Sequence, residues 1–533
     1  MSFPLTVPAI ARRARDLHHA REVVSRQPDG SIGRTTYGAV VERAQRLAGA
    51  LQLLGLRPGD RVATFCWNHA EHLEAYLAVP SFGAVLHTVN VRLHPDELAY
   101  IATHAGDRAI IVDAALLPQL EAFRARTPIE HVIVVGGAAP PGTIAYEELL
   151  ATAAGSGDDR AADLFAAPGL DEHAAASCCY TSGTTGMPKG VLYSHRCLVM
   201  HALSTATADS LAIGQRETIL PVVPMFHVNA WGLPYAAALT GAKLVLPGPR
   251  LDGASLLELL VDERVTLAAG VPTVFLPLLE LLDAAPGAHD LSALHTLVIG
   301  GSAAPRALFA GFDRHGITVL HAWGMTELGP IGTIGRVPAE HSAAPPEVQL
   351  DRRAKQGRPM PFVEVRARGD EGLVPWDGAS YGELEVRGSS VAAAYMGGDG
   401  ADQFTADGWF RTGDIATIDP DGTIDLKDRA KDLIKSGGEW ISSVALENAL
   451  MGHPAVAEAA VVAVPHERWG ERPLAVVVLR EGASATAEAL RAHLEPGFAR
   501  WWLPDEIVFA DAIPKTATGK FRKTVLRDLH RPA

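Results

Sequence analysis

Short apolar runs alternate with stretches of helical period through much of the chain between residues 57 and 324, and no other feature constrains the fold as strongly. RPGDRVATFC reads as a turn and a buried strand, and HLEAYLAVPSFGAVLHTVN as a helix followed by a strand. The rhythm returns in RAIIVDAALLPQLEAF, in AKLVLPG with SLLELLVDERVTLAAGVP, and in LHTLVIGGSAAPRALFAGFDRHGITVLHAWG. Strands joined through helices pair in parallel, and a parallel sheet must be covered on both faces, so an α/β fold is predicted. Apolar residues also recur at helical spacing from Tyr37 to about Leu56. After about Gly357 the texture changes to short strands with Gly and Asp turns (FVEVRARG, GELEVRG, GWFRTGD, DGTIDLKDR), which predicts an antiparallel or barrel-like unit. A final βα segment runs from Asp432 to the end.

A chain of 533 residues exceeds what one core usually supports, so two or more domains are expected. Hydrophobic content of 48% and charged content of 20% are ordinary for a globular protein. The longest apolar candidate, around Val265 to Leu279, is broken by Pro272 and Pro277 and falls short of the ~18 residues of a membrane span. The first twenty residues lack a basic start followed by an apolar core, so a cytoplasmic location is the expectation. Cys66, Cys178, Cys179 and Cys197 make neither a disulfide framework nor a zinc pattern and read as small buried hydrophobes. A formal charge of -14 argues against general nucleic-acid binding. From Asp428 onward 14 Lys and Arg balance 14 Asp and Glu, so the acidic excess lies in the first 427 residues.

The chemistry-bearing stretches begin with YTSGTTGMPKG, Tyr180 to Gly190. Thr181, Ser182, Thr184 and Thr185 offer hydroxyls, Gly183 and Gly186 let backbone N–H groups approach an anion, and Lys189 supplies charge, a combination suited to a polyphosphate. It is not the kinase and GTPase loop, which ends in Gly-Lys-Ser/Thr, whereas Pro188 precedes Lys189 here. GGSAAP, Gly300 to Pro305, follows an apolar strand, where α/β proteins bind ligands. HAWGMTE follows the next strand and brings Trp323 beside Gly324, a ring that can stack on a purine, and Glu327, an oxygen ligand for Mg²⁺. FRTGD places Asp414 after a turn, DLKDRAKDLIKSGGEWIS combines Asp428, Arg429, Lys431 and Lys435 with a Gly-Gly pair, and IPKTATGKFRK puts Lys520 in a glycine-containing loop. Singly, each is as well read as core or as a solvated turn.

In this order the stretches resemble the adenylate-forming superfamily of acyl-CoA synthetases, nonribosomal adenylation domains and luciferases over nearly the whole chain, with bacterial medium- and long-chain fatty acyl-CoA synthetases and methylthio-propionate CoA ligases nearest. The resemblance implies a large N-terminal domain of two helix-covered, mostly parallel sheets plus a small β-barrel, residues 1–427, a hinge at 428–431 and a small mobile α+β domain at 432–533. It implies activation of a carboxylic acid with ATP and Mg²⁺ to an acyl-adenylate, with release of pyrophosphate and transfer to CoA; transfer to a carrier-protein thiol is the alternative acceptor. Thr181 to Lys189 would grip the β- and γ-phosphates, with Thr181 and Glu327 near Mg²⁺. Gly301, Ser302, Ala303, His321, Ala322, Trp323, Gly324, Met325, Thr326 and Lys435 would form the nucleotide site, Trp323 standing where relatives usually carry Tyr. Asp414 and Arg429 would hold the ribose, and Lys520 would bridge the substrate carboxylate and the α-phosphate. Such a reaction needs no general base; it needs positive charge where two anions meet. Lys431 matches the hinge about which Lys520 leaves and Ser436, Gly437 and Gly438 enter to admit the thiol, with Glu439, Trp440 and Glu471 beside that path.

The acid is addressed by VPMFHVNAWGLPY, Val223 to Tyr235. Where relatives that activate α-amino acids present an Asp to the ammonium group, this chain carries His227, so an amino-acid substrate is not expected. Trp231 matches a tryptophan that gates the acyl tunnel in fatty acyl-CoA synthetases, and His227, Val228, Gly300 and Gly324 would line the acyl end. A medium- to long-chain fatty acid is the favoured substrate, with a short-chain or aromatic acid as the alternative. A homodimer through the N-terminal domain is expected by analogy.

Overall fold

The structure is a computed structural model that describes residues 3–155, 165, 169–181, 187–437, 439–515 and 521–530. Two large sheets carry the βα rhythm. The first has seven strands in the order Ile144–Ala145, His131–Val135, Asp107–Asp113, Arg61–Phe65, Val85–Thr88, Ala175–Tyr180 and Gly190–Ser194, parallel except for the last. The second has nine, and its six central members, from Thr318–Gly324 through Thr296–Gly300, Leu267–Gly270, Thr218–Pro221 and Lys243–Leu246 to Glu22–Arg26, are parallel.

Alternation along the strands sorts apolar side chains between layers. Val298 and Ala269 face the layer shared with the first sheet, while Leu297, Ile299 and Ala268 face the opposite side. The shared layer holds the helices Val7–His18, Tyr37–Leu53, Ala70–Ser81, His195–Ala206 and Leu233–Thr240. Separate apolar clusters cover the outer face of each sheet, so both are buried on two sides, as parallel pairing requires. Pro272 opens the helix Pro272–Ala284, and that helix continues through Pro277 instead of breaking there. Among the described residues no helix is long and apolar enough to cross a membrane. All four cysteines are buried and free.

The short-strand region forms a five-stranded antiparallel sheet in which Phe410–Ile418 pairs with Ile424–Arg429. Among the described residues its outer strands, Gly372–Leu373 and Ile424–Arg429, do not pair with each other, so the expected barrel is an open sheet. A two-residue edge strand is too short to close a ladder.

From Ile434 onward apolar residues belong to clusters of their own, around the hairpin Val456–His466 and Gly470–Leu479 with the helices Ser443–Met451 and Ala487–Leu494. Several contacts among the described residues tie this part to the rest, including that of the Ser442 hydroxyl with Lys427 O. Asp428 Oδ2 accepts from the backbone N–H and the hydroxyl of Ser443, both at 2.6 Å. Arg480 also meets Glu280 at 2.7 Å.

Candidate functional site

The carboxyl ends of the parallel strands open onto two adjoining cavities of about 410 Å³ and about 710 Å³. Gly301, Ala322, Trp323, Gly324 and Arg429 border both. This is where α/β sheets place ligands, because strand ends and helix starts present unpaired backbone groups there.

At the smaller cavity the antiparallel pair Ala175–Tyr180 and Gly190–Ser194 sets the neck of the glycine- and threonine-rich loop. Thr181 N–H donates to Lys189 O at 2.9 Å, and Lys189 N–H donates to Thr181 Oγ1 at 3.0 Å. Both residues line the cavity, while Ser182, Gly183, Thr184 and Thr185 lie outside the described residues. Lys189 Nζ donates to Gln403 Oε1 at 3.1 Å and rests 4.7 Å from the Tyr395 ring centroid. On the facing side, Met325, Thr326 and Glu327 follow the strand Thr318–Gly324. Tyr193 O–H fixes that turn by donating to Thr326 O at 2.5 Å, and Tyr395 O–H donates to Glu327 Oε1 at 2.5 Å. Glu327 is only 5% exposed, and with the Thr181 hydroxyl it offers the hard oxygen donors that suit Mg²⁺. Gly324 cannot be replaced here, since a Cβ would lie 2.0 Å from Pro330 O.

The shared wall carries the nucleotide candidates. Asp414 is buried, with Arg429 Nε at 2.6 Å from one carboxylate oxygen and Trp323 Nε1 donating to the other at 2.8 Å. Pairing of Phe410–Ile418 with Ile424–Arg429 puts Asp414 opposite Arg429. Trp323 thus braces the acid through its indole N–H. Ser302, Ala303 and His321 line only the larger cavity, where His321 Nδ1 lies 2.7 Å from Ala354 O and burial holds the ring below its ordinary pKa.

The acyl candidates His227, Val228 and Trp231 border the smaller cavity. Val228, Asn229, Ala230 and Trp231 all have left-handed backbone, with φ of 46°, 53°, 48° and 56°, and Gly232 completes the turn at 73°. Each such non-glycine residue costs about 1–2 kcal/mol, so neighbouring contacts must enforce the turn. Asn229 supplies one: its Nδ2 lies 3.2 Å from Ser177 Oγ, and it is 1% exposed. The Trp231 ring comes within 3.9 Å of where a Gly301 Cβ would stand. Gly300 is packed under Ala322 and does not line either cavity.

The far part of the chain presents one of its faces. Lys515 and Phe521 form a β-bridge with each other and line the larger cavity beside Gly301, Ser302 and Ala303, as does Lys431. The segment between them, including Lys520, lies outside the described residues, as does Gly438. Lys435, Ser436, Gly437, Glu439, Trp440 and Glu471 border neither cavity. They form a separate group: Lys435 N–H donates to Glu471 Oε2 at 2.8 Å, Lys435 Nζ lies 5.1 Å from the Trp440 ring, and Gly437 packs under Trp469. Tyr395 and Gln403, which sequence reasoning missed, also line the smaller cavity. Tyr395 stands in AAAYMGG, where no spacing or charge pattern marks it out.

The chain belongs to the AMP-binding enzyme family: residues 10–396 match the AMP-binding enzyme model and residues 445–520 match its C-terminal domain. It is 52% identical over 524 residues to a long-chain-fatty-acid–CoA ligase of Thermus thermophilus, covering 97% of this chain and 94% of that protein. It is 45% identical over 543 residues to a 3-methylmercaptopropionyl-CoA ligase of Ruegeria lacuscaerulensis, covering 100% and 98%. The fold superposes on ATP-bound MatB from Rhodopseudomonas palustris with a TM-score of 0.82 at 26% identity, covering 99% of each chain.

Proposed function

We propose that this enzyme is an AMP-forming acyl-CoA synthetase whose acid is a medium- to long-chain fatty acid. It is an acid–thiol ligase that uses ATP and CoA. The observation that carries the reading is the convergence of Lys189 and Glu327, the Trp323–Asp414–Arg429 cluster and the Lys515/Phe521 face on two adjoining cavities. Cations, a buried carboxylate and strand ends meet where a carboxylate and a triphosphate must be brought together.

In this reading Lys189 and the loop it closes hold the leaving phosphates, Asp414 takes the ribose hydroxyls, and Trp323 offers its ring to adenine. Thr181 and Glu327 would hold Mg²⁺, which when bound neutralises charge on the phosphates. Lys520 immediately precedes Phe521 in the sequence, and Phe521 lines the larger cavity together with Lys515, which supports a role for Lys520 in drawing the acid carboxylate to the α-phosphate. The large domain is taken as residues 1–427, the hinge as 428–431 and the small domain as 432–533, a division supported by the separate apolar clusters before Leu426 and after Ile434. Lys431, Ser436 to Trp440 and Glu471 are assigned to the thiol-transfer state, and a homodimer through the large domain is part of the proposal.

A short acid is the second reading, favoured by the Trp231 ring over the smaller cavity and by the 3-methylmercaptopropionyl-CoA ligase of Ruegeria lacuscaerulensis. Thioester formation with CoA across acids from C3 to C18 and aromatic acids decides between the two. The fatty-acid reading requires kcat/KM to peak at C8 or above; a peak at C3 to C5 sinks it. Lys520→Ala should lower ATP–pyrophosphate exchange by about 10²- to 10³-fold.

A further inference from the structure

Tyr395 stands between two groups of opposite charge, Lys189 and Glu327. Its hydroxyl donates to Glu327 Oε1 at 2.5 Å, and its ring receives Lys189 Nζ at 4.7 Å from the centroid. The lysine is steadied by a neutral amide, Gln403 Oε1 at 3.1 Å, instead of by the carboxylate. The tyrosine is fixed in place. It is 5% exposed, Phe404 and Phe410 meet its ring edge-on at 5.9 Å and 6.4 Å, and a β-bridge ties it to Val191 beside the phosphate loop. The next turn back is tied too, since Ala392 N–H donates to Glu327 O at 2.7 Å.

Opposite charges facing one partly desolvated cavity attract strongly, and a direct Lys189–Glu327 pair would occupy both the cation and the carboxylate. A phenol avoids this because the ring face attracts an ammonium while the hydroxyl satisfies a carboxylate. We propose that Tyr395 is a positioning residue, a neutral spacer that keeps Lys189 and Glu327 apart so that ATP meets an open cation. This rests on the assignment of Lys189 to the phosphates.

The test is a double-variant cycle on the full chain, reading metal-free ATP affinity by calorimetry in EDTA. Tyr395→Leu should weaken ATP about tenfold by letting the ion pair form, and adding Glu327→Gln should restore affinity to within about threefold of the parent. Glu327→Gln alone completes the cycle, and its own effect on affinity is subtracted from that of the double variant. Additive effects, or no loss in Tyr395→Leu, would overturn the proposal. Should the leucine variant not fold by circular dichroism, Tyr395→Met replaces it in the same cycle. Lys189→Ala separates the two levels: if it leaves ATP affinity unchanged, the phosphate assignment falls; if it weakens ATP while the cycle is additive, only the spacer falls.

Discussion

Asp414 shows how one buried carboxylate can organise the wall proposed for the nucleotide. With Arg429 on one oxygen and the Trp323 indole on the other, its charge is compensated without closing the cavity. Asp414→Asn removes the charge and leaves the Arg429 guanidinium without its ionic partner, which in partly buried pairs commonly costs about 2–5 kcal/mol. The expected outcome in ATP–pyrophosphate exchange is a KM for ATP raised about tenfold or more, with the KM for the acid unchanged. An unchanged KM for ATP would remove Asp414 from the nucleotide site. The charges in FRTGD and DLKDRAKDL could be found in the sequence because catalytic charge comes in clusters, and their pairing follows from one hairpin register. Tyr395 could not, because its value lies in what its two faces touch, and those partners are 68 and 206 residues away.

Two elements shape the turn that carries the acyl candidates and its connection to Ile331. The left-handed turn from Val228 to Gly232 is held by Asn229, whose amide reaches Ser177 in the strand leading to the phosphate loop. Asn229→Ala loses a buried hydrogen bond and a residue type that, after glycine, tolerates this backbone well, so stability should fall by about 2–3 kcal/mol in urea unfolding. The same variant should alter the acid chain-length profile while leaving the KM for ATP within about threefold. Nothing in FHVNAWG announces such a turn, since only its last residue is glycine; tertiary contacts impose it. The helix His195–Ala206 supplies the second link: His201 Nε2 accepts from Ile331 N–H at 3.1 Å, and its ring fills the space beside Gly232. Burial pushes His201 down to about 3, so it stays neutral in the folded chain while the unfolded imidazole takes a proton below ~6.5. The stability it contributes is therefore present above ~6.5 and lost as pH falls toward the folded value. Replacing it by Asn should reduce the stability lost between pH 7 and pH 5 by about 2 kcal/mol relative to the parent, read from urea midpoints at the two pH values.

At the scale of the molecule, the βα rhythm predicts parallel sheets covered by helices, because period and crossover length dictate that geometry locally, whereas the division into two sheets rests on the resemblance. The closure of the short-strand unit was beyond such reasoning, since closure depends on which distant edges meet. The orientation of the small C-terminal part was beyond it too, because it is set by a few contacts such as Asp428 with Ser443. That orientation brings Lys515 and Phe521 to the cavity and leaves the hairpin Ile434–Ser436 and Glu439–Ile441 away from it. If the two faces serve successive steps, damage to the hairpin must spare the first. Gly437 permits a clean trial: its φ is +59°, and a Cβ there would come within 2.9 Å of the Trp469 ring. Alanine must strain the backbone or lift the hairpin from Trp469, a local cost of about 1–2 kcal/mol that leaves the distant cavity intact. Gly437→Ala should therefore lower acyl-CoA formation by about tenfold while ATP–pyrophosphate exchange stays within about twofold of the parent. Equal losses in both assays would mean that the hairpin acts in adenylation as well, and the division of labour between the two faces would have to be abandoned.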